Sequence, residues 1–331
     1  MSSETEPTRD VLIIGGGPAG LAAALALCRQ NHNSVIFDSG EYRNRFATEM
    51  HMVATWDHRP PGEYLEAGRA ELKQRYPDQC TFVDRGVSSI KRVSGTPSTF
   101  EATDSNGNQW RGRKVILATG VRDLLPFIDG LEDCWGHGVV HCLLCHGHEQ
   151  RGSESVAVLA LDAFAEPSGI LRVVRSCKQF AKRVRIYTNG NTRVATQLRP
   201  VAANVAGCDV VVGAIERMEM VKGAADGDGQ GVERLHIVLE GAEEGGLVEE
   251  HAHGFAMYHA GTEQASSLVE ELGVQLDDDG DIKLGAFAET SQPGVFAAGD
   301  CASRHKFVSI ASGSGLLAGD GAAQQLQAEG A

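Results

Sequence analysis

A glycine-rich turn near the start of the chain constrains the fold more than any other feature of the sequence. Residues 10–15, DVLIIG, form a short apolar run that is typical of a buried parallel strand. The turn that follows has the form Gly-x-Gly-x-x-Gly and consists of Gly15, Gly16, Gly17, Pro18, Ala19 and Gly20. An alanine- and leucine-rich stretch, LAAALALCRQ, comes next and predicts a helix. This order predicts a dinucleotide site, because free N–H groups at the helix start can bind a pyrophosphate.

An acidic residue after the next strand narrows the choice of dinucleotide. Ser34–Phe37 predict that strand, and Asp38 follows it, 18 residues after Gly20 and close to the spacing of about 20 expected for a ribose-binding acid. Asp38 can accept hydrogen bonds from the ribose hydroxyls, whereas its charge would repel a 2′-phosphate. We include the neighbouring Ser39 in this site. The repulsion between Asp38 and a 2′-phosphate favours FAD or NAD over NADP as the ligand.

One apolar stretch could also be interpreted as a membrane span or the core of a signal peptide. Val11–Cys28 contains 18 residues without a charge. However, an acidic segment, MSSETEPTRD, precedes it, and five glycine and proline residues interrupt it. We therefore expect a soluble, cytoplasmic protein with no membrane partner. A formal charge of −14 argues against nucleic acid as a partner, and 331 residues suffice for two domains.

Two later stretches complete the first site. The segment KVILATG predicts a strand that ends in Ala118, Thr119 and Gly120, and the segment GVFAAGD ends in Asp300. Gly313 then predicts the start of an alanine-rich final helix. These segments resemble the ATG and GD motifs of thioredoxin reductase-like flavoproteins, which have two dinucleotide-binding domains. The resemblance implies FAD as the cofactor, with Asp300 bonded to its ribityl and phosphate region.

The resemblance covers nearly the whole chain and implies an α/β fold with two Rossmann-like domains. Residues 1–121 and 251–331 would form one FAD-binding domain, and residues 122–250 would form an inserted domain of the NADPH type. Within the insert, residues 221–231 and 241–250 are rich in glycine and acids, which predicts turns between strands.

The same resemblance assigns further cofactor contacts. Arg43 and Asn44 would lie along the adenosine or the pyrophosphate. The backbone of Phe307 and Val308 would touch the flavin ring. His51 is assigned to the flavin side, and a simple packed histidine is the alternative.

The inserted segment repeats the strand–turn–helix pattern but lacks the nucleotide motif. Ser155–Leu159 predict a strand, and Ile170–Ala181 predict a helix. The turn between them places Ala160 and Asp162 where the motif needs its first two glycines. A carboxylate at the second position blocks the approach of the backbone and repels a diphosphate. We therefore expect this domain to keep its fold and to have lost NADPH binding.

Two further features of the insert agree with that loss. Glu166 adds negative charge near the predicted helix start, and Pro167 favours a helix that begins later. The second strand, Val184–Tyr187, is followed by Thr188–Arg193, which contains one arginine where the family has a basic cluster for the 2′-phosphate. The resemblance thus implies a degenerate NADPH-type domain.

Residues 141–150, HCLLCHGHEQ, place two cysteines three positions apart among histidines. A zinc site usually takes a second ligand pair, about 12–20 residues further on, and the sequence offers little beyond Cys177. A structural disulfide is disfavoured in a reducing cytosol. We therefore predict a redox pair and no metal. By the resemblance, Cys142 would exchange with substrate and Cys145 would face the flavin.

The residue after the pair departs from ordinary thioredoxin reductases. They carry an aspartate there as the acid/base, whereas this chain has His146. Histidine suits proton transfer from a thiol near neutral pH. His148 and His141 are further candidates, and Glu149 could orient one of them.

The cysteine pair and the defective NADPH motif together resemble the gliotoxin-type dithiol oxidases of fungal secondary metabolism. That resemblance implies an FAD-dependent enzyme that closes a disulfide in a small-molecule dithiol and returns the electrons to O₂ as H₂O₂. It also implies a homodimer. A disulfide reductase fed by a donor other than conventionally bound NADPH is the first alternative, and a non-enzymatic redox sensor is the second.

Overall fold

The glycine turn joins a strand to a helix, as predicted. The structure is a computed structural model, and it describes residues 7–95, 99–225, 231–241 and 250–330. The uncharged stretch Val11–Cys28 is divided between the first strand and the first helix. In the described part of the chain, no helix combines the length and the apolar character that crossing a membrane requires.

The elements alternate between strands and helices along most of the chain. The strands are β1 (Arg9–Ile14), β2 (Ser34–Phe37), β3 (Cys80–Val83), β4 (Val87–Val93), β5 (Thr99–Asp104), β6 (Gln109–Leu117), β7 (Val121–Leu124), β8 (Val139–Val140), β9 (Ser153–Leu159), β10 (Ala181–Tyr187), β11 (Cys208–Val211), β12 (Ile215–Ala225), β13 (Gly231–Leu239), β14 (Glu250–His253), β15 (Ala256–Met257), β16 (Gly261–Gln264) and β17 (Val295–Ala297). The helices are α1 (Pro18–Arg29), α2 (Pro61–Arg75), α3 (Leu131–Cys134), α4 (Leu143–His146), α5 (Pro167–Cys177), α6 (Thr192–Ala203), α7 (Leu268–Glu271) and α8 (Val308–Ala328).

The described residues form two compact units. The first contains the chain up to Arg45, Met52–Arg122 and the chain from Thr262, and the second contains Phe46–His51 and Asp123–Gly261. The chain enters the inserted segment of the second unit between residues 122 and 123 and leaves it between residues 261 and 262. The sequence predicts these boundaries at 121/122 and 250/251. The second crossing comes later because β14 and β15 still belong to sheets of the second unit.

The first unit is built on a seven-stranded sheet. Its order is β3-β2-β1-β6-β5-β4, and β17 pairs with the end of β6. Strands β1, β2, β3, β6 and β17 run parallel, whereas β4 and β5 form an antiparallel extension. The carboxyl ends of β1, β6 and β17 therefore lie side by side, where open α/β sheets bind their ligands.

The final helix, α8, begins at Val308, so the predicted start at Gly313 is wrong. Gly315 and Gly319, which follow it within the helix, serve helix packing. A Cβ on Gly315 would lie 2.1 Å from the carbonyl oxygen of Ala19, and one on Gly319 would lie 2.6 Å from that of Ala23. Glycine lets the α8 backbone pack directly on α1 and so fixes the helix that begins at the glycine turn.

The second unit repeats the Rossmann-like pattern. Its five-stranded sheet has the order β11-β10-β9-β15-β8, with every pairing parallel, and β12, β13 and β14 form an antiparallel sheet. Helix α5 begins at Pro167, three residues before the predicted start at Ile170. The predicted two-domain α/β fold is confirmed.

The two turn predictions in the insert have different outcomes. Val221–Ala225 lie in β12, where Lys222 pairs with Glu233 of β13, so the turn does not begin at 221. Residues 226–230 and 242–249 lie outside the described residues.

Candidate active site

The glycine turn leaves the start of α1 open. Gly17 is the N-cap residue, and among the described side chains none caps α1 by a hydrogen bond. A Cβ on Gly17 would meet only the Tyr42 ring, at 4.0 Å. Gly15, by contrast, has φ +116°, and a Cβ there would lie 2.2 Å from the Ala118 carbonyl oxygen. The turn therefore presents bare backbone N–H groups to a ligand, as a diphosphate requires.

Asp38 lies directly against this turn. It is 5% exposed, and a Cβ on Gly16 would overlap its carboxyl group. One carboxylate oxygen accepts a hydrogen bond from the Gly40 N–H at 3.0 Å, and the other accepts from the Tyr42 hydroxyl at 2.7 Å and from the Arg69 guanidinium. Burial, and then Asp38, raise the pKa of Tyr42, so its hydroxyl remains a donor. Arg69 lies on α2, 31 residues after Asp38, and no sequence motif marks it.

The ATG and GD segments meet the turn at the carboxyl ends of the parallel strands. The Ala118 N–H donates to the Ile14 carbonyl oxygen at 2.8 Å. Asp300 accepts a hydrogen bond from Arg43 at 3.1 Å. The first unit also contains the remaining cofactor residues predicted there: Pro18, Ala19, Gly20, Ser39, Asn44, Thr119, Gly120, Phe307 and Val308. Phe307 is the N-cap of α8, and Val308 is its first residue.

Two side chains that sequence reasoning did not assign hold the Asp300 loop. The Lys306 ammonium donates to Asp281 at 2.8 Å, to the Asp300 carbonyl oxygen at 2.9 Å and to the Ser303 carbonyl oxygen at 2.8 Å. Gln264 donates to the Cys301 carbonyl oxygen at 2.8 Å. The open helix start, the buried acid and this fixed loop fit an adenine dinucleotide without a 2′-phosphate, as FAD is.

Cys142 and Cys145 form a disulfide in the second unit. Cys142 is the N-cap of the short helix α4, and its Sγ accepts a hydrogen bond from the Cys145 N–H at 3.1 Å. Leu144, between the two, has a side chain that is 66% exposed. The other six cysteines are free thiols, and five of them are buried. The two cysteines of the predicted pair are thus joined by a disulfide.

His146, the last residue of α4, lies in a cluster with two other ionisable groups. Burial lowers the pKa of His146, the charge of His51 lowers it further, and Glu149 opposes them. The His51 and His146 rings are 6.4 Å apart, edge to face, and His51 Nε2 lies 3.8 Å from a Glu149 oxygen. His51, assigned from the sequence to the flavin side, packs here within the second unit. His148 is exposed.

At the second nucleotide position, side chains of the protein itself occupy the place of a nucleotide phosphate. Glu166 is the N-cap of α5, and its carboxylate accepts hydrogen bonds from the Gly169 N–H at 2.8 Å and the Ser168 hydroxyl at 2.6 Å. Asp162 has φ +50° and accepts a hydrogen bond from the Tyr258 hydroxyl at 3.1 Å. The N–H donors that a phosphate would use at α5 are therefore shared with Glu166, unlike those of α1.

Comparison with known proteins gives matches along nearly the whole chain. A family model for pyridine nucleotide-disulphide oxidoreductases matches residues 9–159 and 214–315. A thioredoxin reductase of Gibberella zeae is 41% identical, over 96% of this chain and 98% of its own length. Thioredoxin reductase aclD of Aspergillus oryzae is 39% identical, over 97% of each chain. The crystal structure of an oxidoreductase from Agrobacterium tumefaciens has a TM-score of 0.78 at 28% identity, over 97% of this chain and 99% of that one.

Proposed function

Because this chain belongs to the pyridine nucleotide-disulphide oxidoreductase family, we propose that it is an FAD-dependent dithiol oxidase. It would close a disulfide in a small-molecule dithiol through Cys142 and Cys145 and use O₂ as the electron acceptor. The net reaction, R(SH)₂ + O₂ → RS₂ + H₂O₂, balances in atoms and moves two electrons and two protons to oxygen.

FAD is the cofactor of this family, and we place it in the first unit. The open N–H groups at Gly17 would hold its pyrophosphate, Asp38 would bind the adenosine ribose, and Asp300 would bind the ribityl region. When bound, FAD supplies a two-electron acceptor that can pass its electrons to O₂. The protein supplies binding, position and proton transfer.

The cysteine geometry supports the proposed disulfide exchange, and the choice of Cys142 as the attacked sulfur comes from the family resemblance. A substrate thiolate attacks Cys142 Sγ, the bond to Cys145 breaks, and Cys145 leaves as a thiolate. The second substrate thiolate then attacks the substrate sulfur bound to Cys142. The substrate departs as a disulfide and Cys142 leaves as a thiolate. The Cys145 N–H, 3.1 Å from Cys142 Sγ, stabilises that charge.

His146 is the proposed base for the thiol protons. It follows Cys145 directly, and burial lowers its pKa, which keeps the imidazole neutral and able to accept a proton. His148, which is exposed on the same stretch, is the second candidate. A positioned base of this kind contributes roughly 10²–10⁴-fold to rate.

The observation that carries the proposal is the internal cap of α5. To bind there, an NADPH diphosphate would have to displace the Glu166 carboxylate and approach Asp162 at the position of a required glycine. The two segments matched by the family model also leave out residues 160–213, which include this remodelled loop. With a nicotinamide donor disfavoured, the proposal takes substrate thiols at the cysteine pair as the electron source.

A disulfide reductase is the second candidate, and the names of the relatives favour it. Both curated relatives above are called thioredoxin reductases. In that case electrons would reach the cysteine pair from FAD, and a donor other than conventionally bound NADPH would have to feed it.

Anaerobic titration followed by reoxidation in air separates the two, since only an oxidase should pass its electrons rapidly to O₂. Dithiothreitol should bleach the visible flavin absorbance of the wild-type holoenzyme, and NADPH should not. Admission of air should restore the colour and give one H₂O₂ per dithiol oxidised. Cys145→Ser is the matched control and should block bleaching by dithiothreitol. Rapid bleaching by NADPH, or full turnover by Cys145→Ser, would refute the oxidase proposal.

The family resemblance also supports a homodimer and a cytoplasmic location. Sedimentation equilibrium of the holoenzyme tests the first, since a monomer mass at working concentrations would contradict it.

A further inference from the structure

We propose that His51 is a positioning residue for the thiol site. His51 and Glu149 carry opposite charges beside His146, and together they set the pH range in which His146 can accept a proton. The inference rests on the proposed function, in which His146 is the base. It assigns His51, which the resemblance placed on the flavin side, a role at the thiol site of the second unit.

The segment that carries His51 is anchored to the second unit. Residues Phe46–His51 group with that unit, although the chain on both sides belongs to the first. Phe46 packs on Gly136, where a Cβ would lie 2.8 Å from the Phe46 Cβ and the backbone has φ +87°. A side chain at position 136 would therefore push this segment away.

The anchoring brings three ionisable side chains together from two distant stretches of chain. The His51 side chain is 8% exposed, and its ring lies edge to face with that of His146 at 6.4 Å. Its Nε2 is 3.8 Å from a Glu149 oxygen. In the described part of the second unit, the charged groups that act on His146 are His51 and Glu149.

The two neighbours act in opposite directions. A proton on His51 repels a proton on His146, whereas the Glu149 carboxylate attracts one. Partial burial strengthens both effects, because water screens them less. A charged His51 keeps His146 neutral, in the form that takes a proton from a substrate thiol.

The test is an NMR titration of histidine-labelled holoenzyme in air, with the Cys142–Cys145 bond oxidised so that no thiolate contributes. His51→Gln should raise the pKa of His146, and Glu149→Gln should lower it. His137→Gln, which replaces an exposed histidine of the same unit, should leave it unchanged. Shifts of the same sign in His51→Gln and Glu149→Gln, or no shift in either, would overturn the proposal.

A kinetic measurement adds a readout that a purely structural role would not move. The acid limb of kcat/KM for dithiothreitol oxidation should move to higher pH in His51→Gln and to lower pH in Glu149→Gln, with KM within about twofold of wild type. Movement in the reverse order would contradict the assignment. If dithiols fail to reduce the flavin while the NMR shifts appear as stated, the proposed function fails and the charge coupling stands.

Discussion

Gly17→Asp should weaken FAD binding, because it places a carboxylate at the second glycine of the first nucleotide motif, as Asp162 does in the second motif. Gly17 has an ordinary φ of −73°, and a Cβ there would touch only the Tyr42 ring at 4.0 Å, so the fold should tolerate the change. A carboxylate at this N-cap would face the proposed FAD diphosphate, and we take a separation of ~4 Å to size the repulsion. Like charges at that distance repel by ~1 kcal/mol in bulk water and ~4 kcal/mol near a protein surface. At ~1.4 kcal/mol per tenfold, FAD should bind between about 5-fold and about 1,000-fold more weakly.

The assay is titration of apoprotein with FAD, followed by flavin fluorescence, together with thermal melting of the apoprotein. Gly17→Asn is the matched control, because it has the same size and capping ability without the charge. We expect Gly17→Asn to lose much less affinity, and both apoproteins to melt near the wild-type temperature. Equal losses in the two variants would refute the electrostatic reasoning, since size alone would then explain the effect.

Three further predictions follow from single contacts. Gly315→Ala should destabilise the protein by roughly 1–3 kcal/mol in urea unfolding, because its Cβ would collide with the Ala19 backbone, and unchanged stability would contradict the packing described. Burial would raise the pKa of Asp104, but hydrogen bonds led by those from Asn108 hold it at about 2. Asp104 therefore contributes ~2 kcal/mol to the free energy of unfolding above its unfolded-state pKa, and this contribution is lost as pH falls from about 4 to about 2. Asp104→Asn should flatten the fall of stability over that range, and an acid-unfolding curve parallel to that of wild type would contradict this. Cys142→Ser should retain bound FAD, as measured by absorbance, yet consume no O₂ with dithiothreitol, and residual consumption at the wild-type rate would rule out exchange at Cys142.

Local patterns predicted the parts of the site that depend on neighbouring residues. Backbone geometry forces glycine into the turn, which is why Gly15 and the helix after it could be recognised in the sequence. The Cys142–Cys145 pair was predicted for the same reason, because a spacing of three brings the two sulfurs together within one short helix.

The rest depends on contacts that a sequence pattern does not record. Arg69 contacts Asp38 from helix α2, and His51 packs against His146, which lies 95 positions later in the sequence. Gly313 suggests a helix start, but α8 begins at Val308, and the glycines that follow Gly313 are explained by the approach of α8 to α1. The sequence predicts Glu166 as a negative charge that competes with a phosphate for the helix start, and the structure adds the hydrogen bonds that make it a cap.

That cap also has a consequence for turnover of the protein in the cell. Helix α5 is completed by a side chain of its own chain, so the second unit needs no nucleotide to satisfy its helix start. Helix α1 stays incomplete until a flavin arrives, and a ligand that binds the folded state alone stabilises it in proportion to RT ln(1 + [L]/Kd). When riboflavin is scarce, newly made chains should therefore be cut by proteases first within the first unit.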